Sequence, residues 1–119
     1  MARNNLELWD ADYLVLSTGW EKYWGMKEYF SDFPVLSEDA VDYILKLGLK
    51  GIGTDTMSVD RMNSTDFPVH HKLMANHLVI IENLCNLTPV RGKTVLFAAL
   101  PLKFRLSDGA PVRAIAVTP

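Results

Sequence analysis

The sequence predicts an α/β fold, with a mixed sheet that is at least partly parallel and that ends in a C-terminal antiparallel hairpin. Three observations support this prediction. Short apolar strand candidates alternate with helix candidates as far as residue 81, and such alternation favours parallel pairing. The second helix candidate has clear start and stop signals. Beyond residue 94, two strand candidates flank a turn-forming stretch, which is typical of a hairpin.

The first strand candidate spans residues 13–17 and ends at a Thr-Gly pair. Trp20, Tyr23 and Trp24 follow it closely. Residues 21–30 predict a weak helix, because Gly25 interrupts its apolar stripe and glycine is a poor helix former.

The most secure element is a helix over residues 37–47. Ser37 is a suitable N-cap, and Gly48 can supply the left-handed conformation that ends a helix. The apolar residues of this helix form one stripe: Ala40, Val41, Ile44, Leu45 and Leu47. A strand over residues 51–54 follows almost at once.

The next helix and strand carry all three histidines and a carboxylate. Proline tolerates the first turn of a helix, so the helix is predicted to begin around residues 66–68 and to end at Asn76. Residues 78–81 form a β-branched run that predicts a strand buried on both faces. Glu82 then lies at the carboxyl end of that strand, where ligands bind in open α/β sheets.

The last third predicts two strands, over residues 95–100 and 112–117. The stretch SDGAP at 107–111 is a turn signal between them, so the strands should pair antiparallel.

Composition limits the possible functions. A chain of 119 residues that is 49% hydrophobic is expected to form a single domain over residues 1–119. The chain has 12 Lys and Arg residues and 14 Asp and Glu residues, and its basic residues form no cluster in the sequence. Neither nucleic acid nor an anionic membrane is therefore an expected partner. One cysteine cannot form an internal disulfide, and a reducing, cytoplasmic location is the default expectation.

Each candidate site residue also has an ordinary structural interpretation. A histidine like His70 is common on a half-exposed helix, and Glu82 could be a solvated carboxylate. Asp55, Ser58 and Asp60 could be turn residues that bond to their own backbone. Trp20 and Trp24 could belong to the core rather than to a binding site.

From residue 12 onward, the sequence resembles the C-terminal half of the cyclase family. These metal-dependent hydrolases include bacterial kynurenine formamidase (arylformamidase) and isatin hydrolase. The matching segments are YLVLSTGW at 13–20, YWG at 23–25, GIGTDTMSVD at 51–60, VH at 69–70, IENL at 81–84, ALPL at 99–102 and PVRA at 111–114. The resemblance implies a swivelling β/β/α fold, of which this chain would be a part.

The resemblance also implies a metal site with zinc or manganese. The family's histidine and glutamate ligands, twelve residues apart, match His70 and Glu82, while Trp20, Asp55 and Ser58 match positions near the substrate. The family's other ligands and its acid/base histidine lie in a signature H-x-G-T-H-x-D-x-P-x-H, which the sequence lacks. We therefore expect no catalytic residue in this chain, little or no bound metal, and no activity on its own.

Two functional hypotheses remain. In the first, the chain completes its site with a separate polypeptide that supplies the N-terminal half, and the pair hydrolyses a small-molecule amide or cyclic amide. In the second, it is a non-catalytic remnant, or a binding or interaction protein, that forms a homo-oligomer. A neighbouring reading frame that encodes the missing signature would favour the first. In either case, exposed aromatic residues such as Trp9, Trp20, Trp24 and Phe30 predict an interface with another chain.

Overall fold

The computed structural model describes residues 8–118 of the chain, apart from the side chain of Trp9. It confirms the predicted α/β class, with both parallel and antiparallel pairing. The strands are β1 (Tyr13–Leu16), β2 (Gly51–Thr54), β3 (Val79–Ile81), β4 (Leu96–Pro101) and β5 (Val112–Val117), and the α-helices are α1 (Glu38–Lys46) and α2 (Pro68–Ala75). The predicted contribution of Trp9 to an interface lies outside the described side chains.

Strands β1, β2 and β3 form a parallel sheet in that order, with Leu14 and Ile80 on either side of Ile52. The central strand β2 is buried along its whole length. The prediction that residues 78–81 are buried on both faces was wrong, since Val79 is 53% exposed. Within the described chain β3 is an edge strand, and its length and β-branched residues alone could not distinguish it from a central one.

The two helices follow their sequence signals closely. The Ser37 side chain caps α1 by accepting a hydrogen bond from the Ala40 backbone N–H, and Gly48 after the helix has a φ of 70°. Helix α2 begins at Pro68 and is followed by Asn76 as its C-cap. The main core lies between these helices and the parallel sheet: Val41, Ile44, Leu47, Leu49, Ile52, Val59, Leu73 and Leu78.

The prediction of one weak helix over residues 21–30 was wrong. Two short 3-10 helices, Trp20–Tyr23 and Lys27–Phe30, occupy this region. Gly25 separates them with a left-handed φ of 81°, which an α-helix cannot include. Tyr29 from the second 3-10 helix is almost completely buried.

Strands β4 and β5 form the predicted hairpin, but as a second, two-stranded sheet rather than as an extension of the parallel one. Phe97, Ala99 and Ala114 on one face of the hairpin pack against Ile81, Leu84 and Leu87. The opposite face exposes Leu96, Leu100, Ile115 and Val117. No helix among residues 8–118 has the length and apolar character needed to cross a membrane.

Candidate metal-binding site

The candidate site lies where the loop after β2, the first turn of α2 and the end of β3 meet. An open cleft there is lined by Met57, Ser58, Phe67, His70, His71, Met74, Ala75 and Glu82. The parallel order of β2 and β3 places their carboxyl ends side by side. The structure therefore brings together His70, Glu82 and Ser58, three of the residues that the sequence identified.

Asp60 holds the first turn of α2. Its Oδ1 accepts a hydrogen bond from the Val69 backbone N–H, and its Oδ2 accepts one from the His70 backbone N–H, both at 2.9 Å. This satisfies two of the N–H groups that a helix leaves unpaired at its start, and places a negative charge at the positive end of the helix dipole. Burial alone would raise the pKa of the Asp60 carboxyl, but these donors outweigh it and lower the pKa below its ordinary value.

The same carboxylate also contacts the His70 ring. Asp60 Oδ2 lies 2.7 Å from His70 Nδ1, a distance typical of a charge-assisted hydrogen bond. The edge-to-face ring of Phe67, with its centroid 5.9 Å away, packs beside the imidazole. Backbone, side chain and neighbouring ring together fix the orientation of His70.

Glu82 lies on the other side of the imidazole. Its Oε1 is 3.1 Å from His70 Nε2, yet this buried oxygen has no partner in hydrogen-bond geometry among the described residues. Burial raises the pKa of the Glu82 carboxyl, and the charge of the nearby His70 ring offsets only part of this effect. Glu82 is thus a desolvated carboxylate that is not fully paired within the described chain.

His70 and Glu82 fit a metal ion as two of its ligands. Zinc binds nitrogen and oxygen at about 2.0–2.2 Å, so two ligands of one tetrahedral ion lie about 3.3–3.6 Å apart. The separation of 3.1 Å between His70 Nε2 and Glu82 Oε1 is slightly shorter, so a small outward shift of either side chain would let both atoms bind one ion. Within residues 8–118, no group of three or more His, Cys, Asp or Glu side chains could hold a metal. The described chain therefore offers a pair of ligands rather than a full coordination set.

Asp55 lies at the end of β2 and is fully buried. Its carboxylate accepts hydrogen bonds from the Thr18 backbone N–H at 3.0 Å, the Thr18 hydroxyl at 2.6 Å and the Gly19 backbone N–H at 2.7 Å. Burial would raise the pKa of Asp55, but these donors lower it below its ordinary value. Asp55 thus ties the loop after β1 to the end of β2, and its role near a substrate stays a prediction.

Of the two other predicted substrate contacts, Ser58 lies in the cleft and Trp20 does not. Ser58 lines the cleft, and its hydroxyl accepts a hydrogen bond from the Asp60 backbone N–H at 3.1 Å. Trp20 is not among the residues that line this cleft, and its indole N–H donates to the Tyr29 carbonyl at 3.1 Å. The proposed contact of either residue with a substrate remains a prediction.

Two important residues were not identified from the sequence as parts of the site. The resemblance places Asp60 near the pocket floor, with a turn residue as the alternative, but neither interpretation included its hydrogen bonds to α2 and His70, although an acid ahead of a Pro-initiated helix could have suggested a cap. Tyr29 is buried, and its hydroxyl contacts both Asn83 Oδ1 at 2.8 Å and the Asp55 carbonyl at 3.2 Å. Asn83 has a left-handed φ of 58°, so Tyr29 supports the turn that follows Glu82. No local pattern could have revealed this contact over 54 residues.

Comparison with known proteins gives a consistent result. Residues 1–61 match the family model described as "Putative cyclase". The chain is 38% identical over 108 residues to an uncharacterized protein of Methanocaldococcus jannaschii, covering 90% of this chain and 54% of that protein. It is 39% identical over 82 residues to the kynurenine formamidase of Salinibacter ruber, covering 67% of this chain and 37% of that enzyme. The chain thus spans about half, or less, of the length of these curated relatives.

Solved structures show the same fold. An isatin hydrolase bound to the product analogue thioisatinate superposes with a TM-score of 0.79 and 28% identity, over 90% of this chain and 45% of that one. A predicted metal-dependent hydrolase from Bacillus stearothermophilus gives a TM-score of 0.62 and 30% identity, over 76% of this chain and 46% of that one.

Proposed function

The chain belongs to the cyclase family, and from this membership we propose that it supplies part of the metal site of an arylformamidase-like hydrolase of amides or cyclic amides. The observation that supports the proposal most strongly is the pairing of His70 and Glu82. A histidine nitrogen and a buried carboxylate oxygen face each other across 3.1 Å, and that oxygen has no hydrogen-bond partner among residues 8–118. A metal ion would satisfy both atoms.

The residues around the pair have separable roles in this proposal. His70 and Glu82 would hold zinc or manganese, and a metal of this kind polarises a carbonyl and activates water for its hydrolysis. The Ser58 hydroxyl would offer a polar contact to the substrate. Phe67 and Met74, both half-exposed on the cleft wall, would contact its apolar part.

Further ligands are needed to complete the site. A catalytic zinc ordinarily takes three ligands from protein, and the described residues offer two. We propose that the others come from a separate polypeptide that carries the family's N-terminal signature. The 119-residue chain alone is then inactive.

Hydrolysis assays test the proposal. N-formylkynurenine, with zinc or manganese added, should be hydrolysed by the purified chain no faster than by buffer that contains the same metal. Addition of a polypeptide with the signature H-x-G-T-H-x-D should produce activity that His70→Ala abolishes. His77→Asn, which alters an exposed histidine outside the cleft and suits its left-handed φ of 64°, is the matched control. Turnover by the chain alone, lost in His70→Ala, would contradict the proposal that the site is incomplete.

A non-catalytic, oligomeric protein is the second candidate. It is favoured by the outer face of the hairpin, where Leu96 is 73% and Leu100 is 62% exposed. This function predicts self-association that is unaffected by His70→Ala, and no activity with any complementing polypeptide. The complementation assay separates the two candidates.

A further inference from the structure

We propose that Asp60 is a positioning residue that keeps the ring proton of His70 on Nδ1, so that Nε2 stays unprotonated beside Glu82 and available to a metal. This inference deepens the proposed function and depends on it only for the identity of the ligand. The ring orientation itself can be tested without any metal.

The geometry around Asp60 favours one tautomer. The side chain is only 3% exposed, and its carboxylate accepts backbone hydrogen bonds from Val69 and His70. An ionised carboxylate can only accept hydrogen bonds. Nδ1 of His70, 2.7 Å from Oδ2, must therefore carry a proton to make the third hydrogen bond.

Glu82 is the competing acceptor for the ring proton. If the neutral ring carried its proton on Nε2, it would donate to Glu82 and leave Nδ1 and Asp60 Oδ2 as two acceptors in contact. The contact on the Asp60 side is the shorter, at 2.7 Å against 3.1 Å, and it alone has hydrogen-bond geometry. The ring proton is therefore expected on Nδ1, from which it is donated to Asp60.

The Asp60 carboxylate thereby links the start of α2 to the tautomer and orientation of the His70 ring. The backbone bonds to Val69 and His70 set where the helix begins, and the side-chain bond sets how the ring faces the cleft. Carboxylates that hold the second nitrogen of a metal-binding histidine are a general feature of such sites, because they fix the tautomer and make the ligand nitrogen more basic.

Nitrogen-15 NMR of the imidazole rings tests the inference, because the ring shifts and couplings distinguish the two neutral tautomers. In the metal-free wild type at alkaline pH, the His70 proton should lie on Nδ1. In Asp60→Ala it should move towards Nε2, where Glu82 is the remaining acceptor. Glu82→Gln leaves Asp60 in place and should keep the proton on Nδ1. A wild-type proton on Nε2, or the same tautomer in wild type and Asp60→Ala, would overturn the inference.

The wild-type spectrum alone shows which ring nitrogen of His70 carries the proton, so the inference can be tested even if Asp60→Ala does not fold. A Zn²⁺ titration gives a second readout: Asp60→Ala should weaken binding by roughly 10-fold or more. Ser37→Ala, which removes the cap of α1 instead, should leave the affinity unchanged. If the complementation assay gives no activity while the His70 tautomer is as expected, the proposed function fails and the inference about Asp60 holds.

Discussion

At the scale of single residues, the buried carboxylates divide into two kinds. Asp55 and Asp60 accept several hydrogen bonds each, and their pKa values are lowered. Glu82 is desolvated, faces the acceptor side of a histidine, and has a raised pKa. We expect the first kind to stabilise the fold, and the second to lower its stability while leaving a carboxylate oxygen available to the proposed metal. Such a difference is expected where function and stability compete.

Asp55→Asn tests whether a carboxylate of the first kind stabilises the fold. Because the pKa of Asp55 is lower in the folded than in the unfolded state, its contribution is complete above the ordinary carboxyl pKa and is lost as pH falls through the folded value. We expect the variant to lose about 1–3 kcal/mol of unfolding free energy at pH 7, and less in acid. Urea unfolding across pH measures this. Asp108→Asn, in an exposed loop, is the control and should have no effect.

Glu82→Gln should instead increase the stability of the fold. The glutamine amide can donate to His70 Nε2, which replaces a contact between two acceptors with a hydrogen bond. In metal-free buffer at pH 7 we expect about 0.5–1.5 kcal/mol of added stability, measured by urea unfolding. A clear loss of stability would show that the ionised carboxylate is already well paired.

At the scale of elements, the sequence predicted those with local signals. Ser37, Gly48 and Pro68 marked the ends of both helices, and β2 was predicted with its observed limits. The long-range features could not be predicted in the same way. Burial of β3 depends on its place at the sheet edge, and the buried position of Tyr29 depends on Asn83, which is 54 residues away. In the site, the resemblance identified His70 and Glu82, but the position of Asp60 beside them needed the three-dimensional structure.

Close contact across the parallel sheet makes Gly51 a sensitive position. A Cβ at Gly51 would lie 2.6 Å from the Val79 carbonyl oxygen and 2.7 Å from the Tyr13 ring. Gly51→Ala should therefore destabilise the chain by about 1–3 kcal/mol, because backbone and ring must move apart. Thermal unfolding is a suitable measurement. Gly109→Ala, with open space around it, should be neutral, and an equal effect at both sites would refute the account of the sheet.

At the scale of the whole molecule, the described chain leaves much apolar surface uncovered. Exposed side chains concentrate on the outer face of the hairpin and on residues 24–30, which include Trp24, Met26 and Phe30. Leu106, in the loop between β4 and β5, is 97% exposed. Monomeric proteins rarely leave so many large apolar groups in water, which supports the proposal of a partner chain.

Sedimentation equilibrium at micromolar concentration tests for self-association. We expect a homodimer or larger assembly, because specific interfaces usually bury more than about 1,000 Å² and the outer face of the hairpin is apolar apart from Arg113. The double variant Leu100→Glu, Ile115→Lys should shift the population towards monomer. Tyr43→Lys, which alters an equally exposed apolar residue on α1, should not. A compact, cooperatively folded monomer in the wild type would contradict the proposed self-association.

The central claim is that His70 and Glu82 are two ligands of one metal ion, and paramagnetic mapping with Mn²⁺ tests it most directly. Mn²⁺ broadens the NMR signals of nearby nuclei even when binding is weak, so the method suits a site with two protein ligands. At low Mn²⁺ concentration, broadening should centre on the His70 ring and the Glu82 side chain. It should disappear in His70→Ala and persist in His77→Asn, which alters a histidine outside the cleft. Broadening that centres elsewhere, or that is unchanged in His70→Ala, would contradict the claim.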